Sequence, residues 1–141
     1  MTKDVHVKIT GYQTVDDNQT DVNEEWFDAQ YFFKGTAHYL MSENEKTAHT
    51  ARYKFNHRML EVIKDGDLHG KLTFEAGKCC DAIYRTPYGR MPFTFDTKQI
   101  SFIDEPNKMT LEACYDILNN GVKVSANRTV MEITPIKNAG T

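Results

Sequence analysis

The chain predicts an all-β fold: one antiparallel up-and-down β-barrel of about 8–10 strands, with residues 1–141 forming a single domain. Three observations carry this. Apolar and polar residues alternate with period two along nearly the whole sequence, as half-buried strands require. Each alternating stretch stops at a short segment rich in Gly, Asn, Asp or Pro. No segment sustains a helix-period apolar stripe over three turns.

The alternation divides into strands at 5–12, 23–33, 36–41, 50–55, 59–64, 68–74, 79–85, 90–103, 109–119 and 122–134. In the first, Val5, Val7 and Ile9 share one face and His6, Lys8 and Thr10 the other. In the second, Phe27, Ala29, Tyr31 and Phe33 share a face, but Trp26 and Phe32 make part of the opposite face apolar as well. Lys34-Gly35 turns the chain into the third strand, and Asn56-His57-Arg58 separates the fourth from the fifth. Asp65-Gly66-Asp67, Glu75-Ala76-Gly77-Lys78 and Thr86-Pro87-Tyr88-Gly89 are the next three turns. The ninth strand reads Met109, Leu111, Ala113, Tyr115 and Ile117 on one side. Asn120-Gly121 follows, the strongest hairpin signal in the chain. The connections at 14–21 and 42–48 are longer, polar and acidic, and the second has room for one helical turn.

Short connections imply antiparallel neighbours, and many antiparallel strands must hide their edges, which barrel closure does most fully. A sandwich, the competing arrangement, needs longer crossovers than this sequence contains. Because successive turns alternate between the barrel ends, one end collects Asp16, Asp17, Asp21, Glu43, Glu45, Asp65 and Asp67 against Lys46. The other collects Lys34, His57, Arg58 and Lys78, together with Glu75, Asp104, Glu105 and Lys108.

Composition excludes several function classes. At 141 residues the chain is long enough to bury roughly two-thirds of its unfolded surface. With 40% hydrophobic and 26% charged residues it reads as a soluble globule rather than a disordered or membrane-embedded chain. A net charge of −3 argues against a nucleic-acid partner, which normally calls for a basic stripe. No apolar run approaches the ~18 residues of a membrane-spanning helix. Met1-Thr2-Lys3-Asp4 leads straight into a strand pattern without a signal peptide, so the expected location is cytoplasmic. Cys79, Cys80 and Cys114, odd in number and two of them adjacent, read as free thiols in a reducing compartment rather than a disulfide framework.

The central third resembles a known family. Asp65-Gly66, Leu72-Thr73-Phe74-Glu75-Ala76-Gly77, Tyr84-Arg85-Thr86-Pro87-Tyr88-Gly89 and Thr97 are similar to the corresponding elements of the YwiB-like family of small bacterial proteins. The Tyr-x-Thr-Pro-Tyr-Gly element is its most recognisable feature. The resemblance implies a calycin (lipocalin-like) β-barrel and brings no activity with it. Lipocalins themselves carry a Gly-x-Trp signature on the first strand and a C-terminal helix. This chain has Gly11-Tyr12-Gln13 there and its only tryptophan at Trp26, so lipocalin ligands are not carried over.

The hairpin around Pro87 is the candidate ligand-binding element, with Tyr84, Arg85, Thr86, Tyr88 and Arg90 capping a barrel mouth. Its register has two solutions. Pro87 forbids positive φ at the first central position, which favours a type I turn with a bulge at Gly89; Arg85 then faces Met91 and points inward. A plain two-residue turn instead pairs Tyr84 with Met91 and leaves Arg85 opposite Arg90 outside, which matches the hydrophobic faces better. The sequence does not choose between them.

No catalytic motif accompanies the hairpin. The histidines His6, His38, His49, His57 and His69 show no metal-ligand spacing, and Asp65-Gly66-Asp67 is ordinary turn chemistry. There is no nucleophile elbow, phosphate-binding loop or dinucleotide fingerprint. The expected function is therefore a non-enzymatic, cofactor-free binding module for a small, partly apolar and anionic ligand in the lumen. The alternative is a protein-interaction module, for instance a homodimer formed through the apolar outer wall around Trp26 and Phe32. A small hydrolase or isomerase rests on fold analogy alone.

Overall fold

Alternation of this length produces ten strands and no helix among the described residues. The computed structural model describes residues 3–15, 19–44, 49–65, 70–87 and 89–136. The strands are β1 (Lys3–Val15), β2 (Gln19–Lys34), β3 (Ala37–Asn44), β4 (His49–Phe55), β5 (Met59–Asp65), β6 (Gly70–Glu75), β7 (Cys79–Thr86), β8 (Gly89–Glu105), β9 (Lys108–Asn119) and β10 (Val122–Pro135). They form one antiparallel sheet in the order β6-β5-β4-β3-β2-β1-β10-β9-β8-β7, an up-and-down meander rolled into a nearly closed barrel. Among the described residues no helix is long and apolar enough to cross a membrane.

The strands run further into the polar connections than the alternation alone predicts. β1 reaches Val15 and β2 begins at Gln19, because thirteen cross-strand pairs continue to Val15↔Gln19. Of the 42–48 connection with room for a helical turn, Ser42, Glu43 and Asn44 instead extend β3, and 45–48 lie outside the described residues. The Asn120-Gly121 hairpin is realised as read: φ is 53° at Asn120 and 79° at Gly121, the paired positive φ of a type I′ turn. Asp65 and the Asn56–Arg58 turn cap opposite ends of β5, as the alternation of turns expects, while Asp16, Asp17, Glu45, Lys46 and Asp67 lie outside the described residues.

Register places the core. Val5, Val7, Leu40, Phe55, Leu60, Phe74, Phe95, Leu111, Met131 and Ile133 are buried on the inner face. β1, β2, β8, β9 and β10 run 12 to 17 residues, whereas β3 to β7 run 6 to 8. A long wall therefore faces a short one. The ladder ends at β6 and β7, which the Glu75–Lys78 turn joins without a ladder between them. There the Thr97 backbone bridges the gap, accepting from Gly77 N (2.9 Å) and donating to Lys78 O (3.1 Å). It does so beside a register shift in β8 between Thr97 and Gln99 that bends the strand around the seam.

Candidate functional site: a cavity in the barrel lumen

Between the two walls lies a cavity of about 150 Å³. The short wall lines it with Tyr53, Leu60, Val62, Lys64, Leu72 and Phe74. From the long wall come Ile9, Leu111, Ala113, Tyr115 and Met131, with Glu25 and Thr129 as polar members. Alternation explains the apolar set: Leu111, Ala113 and Tyr115 stand two apart on β9, and Leu60 and Val62 two apart on β5. A water occupies about 30 Å³ of the liquid, and an apolar cavity of about 150 Å³ in another protein admits benzene. This cavity is therefore ring-sized.

Aromatic side chains shape one side of it. The rings of Phe74 and Tyr115 are 4.5 Å apart, Phe74 and Phe95 4.8 Å, and Phe95 and Tyr115 5.9 Å. Each such pair contributes about 0.5–1.5 kcal/mol beyond area burial. The Tyr115 hydroxyl lies 3.1 Å from Thr129 Oγ1, and either oxygen can donate. Burial pushes the Tyr115 phenol above its ordinary range, against a smaller opposing effect from Thr129, so it stays neutral. The charges sit at the rim: Glu25 is exposed and Lys64 half-buried. Both interrupt apolar stripes, Glu25 after Phe27 and Ala29, and Lys64 after Leu60 and Val62. That interruption is the signal in the sequence that sequence reasoning passed over.

The hairpin adopts the plain two-residue register: Tyr84 pairs with Met91, Arg85 with Arg90 and Thr86 with Gly89. The inward-pointing Arg85 of the bulged alternative is thereby ruled out. Arg85 and Arg90 are both exposed, on the face opposite Ala82 and Phe93, and neither lines the cavity. Hydrophobic matching overrides turn preference, because this register sets Ala82 against Phe93 and Cys80 against Phe95 on the inner face. Gly89 absorbs the geometry at φ 125°. Tyr84 and Thr86 are located by their backbone pairing, and Tyr88 lies outside the described residues. The hairpin stands at the same barrel end as the β5–β6 connection that follows Lys64 and Asp65.

At the opposite end a second cluster surrounds His38. Its Nδ1 is 2.7 Å from the Tyr31 hydroxyl, and its ring packs on Phe33 (4.8 Å), Phe55 (5.2 Å) and Phe102 (4.8 Å). Burial lowers the imidazole pKa, the Asp104 carboxylate works against that, and His57 adds to it. Burial likewise raises the Tyr31 phenol, with Asp104 adding to the shift. Cys79, Cys80 and Cys114 are free thiols. Among the described residues no three His, Cys, Asp or Glu side chains gather as metal ligands. Of Asp65-Gly66-Asp67, only Asp65 lies within the described residues.

Known proteins agree with this architecture. The crystal structure of the ywiB protein from Bacillus subtilis superposes with a TM-score of 0.81 at 17% sequence identity, covering 96% of this chain and 94% of that one. No curated protein matches the chain. The family model of a domain of unknown function, DUF1934, matches residues 7–131, from β1 into β10. The chain belongs to the DUF1934 family, and the resemblance to YwiB-like barrels read from its turns is borne out.

Proposed function

We propose that this protein is a non-enzymatic, cytoplasmic binding module that holds a small, partly apolar molecule in its lumen. The cavity between Tyr53, Leu72, Leu111 and Tyr115 is the observation that carries the reading: a barrel whose only task was stability would gain by filling about 150 Å³. Its walls suit a single ring or short branched chain. Lys64 suits an anionic head at the rim, and the Tyr115–Thr129 pair offers a hydroxyl contact deeper in. The hairpin of β7 and β8 stands at that end, where the guanidinium groups of Arg85 and Arg90 favour an anion's approach beside Tyr84 and Thr86; Tyr88 of the same element lies outside the described residues.

Thermal shift with benzoate and phenol tests this, with Ala113→Leu as the blocking variant, since Ala113 is 1% exposed and lines the cavity. A ligand at a hundred times its Kd stabilises by about 2.7 kcal/mol. A concentration-dependent rise in Tm for wild type, absent in Ala113→Leu, supports the reading. An absent rise, or one that persists in the variant, overturns it. Arg85→Ala separates the hairpin from the cavity: an unchanged benzoate response removes Arg85 from the site.

A second reading, partner binding through the outer wall, draws on Trp26. It is 64% exposed and borders a groove with His6, Lys8 and Asp28. Phe32 shares that face six residues along the strand, roughly 20 Å away, and is stacked on Tyr39. Asp28 and Gln30 lie between, so the two rings do not join into one patch. A homodimer through this wall predicts a sedimentation mass of two chains that Trp26→Lys halves.

A further inference from the structure

β2 is a strand of which most of one edge is open. It pairs with β1 over thirteen positions, Lys3↔Tyr31 to Val15↔Gln19, but with β3 over only five, Gln30↔Met41 to Lys34↔Ala37. Beyond Gln30 the two strands fork, and among the described residues nothing pairs with the free edge at 19–29. In that stretch alternate residues direct their N–H and C=O groups away from β1. Every residue from 19 to 26 is exposed, including Asp21, Asn23 and Glu25, whose register with Gln13, Gly11 and Ile9 gives them the lumen-facing side. The barrel wall is thus open sideways, and Glu25 is shared between this opening and the cavity. At the apex of the fork, Asp28, Ala29, Gln30 and Met41 line a further hollow of about 300 Å³.

From this fork we infer that the free edge of β2 takes an extended, basic polypeptide segment by strand addition. Charge selects the occupant. Residues 19–29 contain Asp21, Glu24, Glu25 and Asp28 and no Lys or Arg. Asp28 bonds His6, but Asp21, Glu24 and Glu25 have no ion-pair partner among the described residues. A second copy of this strand is a poor fit. The symmetric antiparallel registers centred on Glu24 or on Glu25 set that carboxylate directly against its own copy, and like charges directly opposite repel. An incoming strand with alternating Lys and apolar residues replaces that repulsion by attraction on the outer side. Its main chain satisfies the edge, its cations meet Glu24 and Asp28 on the outer side, and its apolar side chains enter beside Tyr53 and Leu72. The common alternative for such an edge is that acidic side chains merely guard it against aggregation.

The test uses the full chain and three labelled heptapeptides: alternating Lys-Val, alternating Glu-Val, and Lys-Val with a central proline. Strand addition predicts anisotropy binding of the first alone, with at least tenfold slower hydrogen exchange at amides within 19–29. Glu24→Gln with Asp28→Asn, both at exposed positions, should weaken that binding at least tenfold while leaving the benzoate response of the cavity intact. Equal binding of the proline peptide, protection elsewhere in the barrel, or no binding overturns the inference. Protection of 19–29 in a dimer without peptide overturns it in favour of a second copy.

Discussion

Leu111→Ala probes how the core and the cavity share one wall. Leu111 is 1% exposed, pairs with Met131 on β10 and Phe102 on β8, and turns its remaining side to the cavity. Losing three buried carbons costs about 2.4 kcal/mol in transfer free energy at ~0.8 kcal/mol each. Leu→Ala substitutions in a fully packed core reach about 5 kcal/mol, because the new void adds a cavity cost. Here part of the leucine surface already faces empty space and has fewer dispersion contacts to lose. The expected loss is therefore in the lower part of that range, about 3 kcal/mol, or roughly a 10 °C fall in Tm for a chain of this size. Phe55→Ala supplies the contrast. That ring is 0% exposed and enclosed by His38 and Phe102, so its loss should reach about 4–5 kcal/mol. Urea unfolding followed by far-UV circular dichroism measures both, since Trp26 at 64% exposure is a poor fluorescence reporter of the core. A Leu111→Ala loss below about 1.5 kcal/mol, or one equal to that of Phe55→Ala, refutes the asymmetry between the open and the packed ends.

Thr97 is 0% exposed and its Oγ1 has no hydrogen-bond partner among the described residues, so Thr97→Val should leave stability unchanged or raise it by about 1 kcal/mol. A clear loss in the same urea assay means that the hydroxyl is satisfied. Gly121→Ala, at φ 79°, should cost about 1 kcal/mol, whereas Gly11→Ala, with open space around its Cβ and no positive φ, should cost nothing; equal effects refute the turn assignment. His38 makes stability pH-dependent. Burial holds its folded pKa below the unfolded value of about 6.5, so the unfolded chain binds the proton first. This contribution is present above that pH and is lost as the solution is acidified through it. Wild type should therefore lose more stability between pH 7 and 5 than His38→Gln, and parallel profiles would refute the linkage.

The fold was legible in the sequence because strand structure is written locally. Period-two alternation, Asn120-Gly121 and the short turns identify ten strands and their antiparallel order, and each signal lies within a dozen residues. The inner face of β9, Met109 to Ile117, was readable for the same reason. Features that depend on several strands at once were not. The hairpin at Pro87 had two locally acceptable registers, and burial of Phe93 and Phe95 against β7 and β9 chose between them. Glu25 and Lys64 are isolated breaks in two stripes that carry no meaning one strand at a time; only barrel closure brings β2 and β5 to one cavity rim. His38 shows no ligand spacing in the sequence, yet Tyr31, Phe55 and Phe102 converge on it from three other strands. By itself the sequence determined the strands, the turns and, outside the Pro87 hairpin, which faces are apolar. Tertiary structure alone decided the register of the Pro87 hairpin, the empty space between the walls and the open edge of β2, because each follows from how unequal strand lengths close around a shared interior.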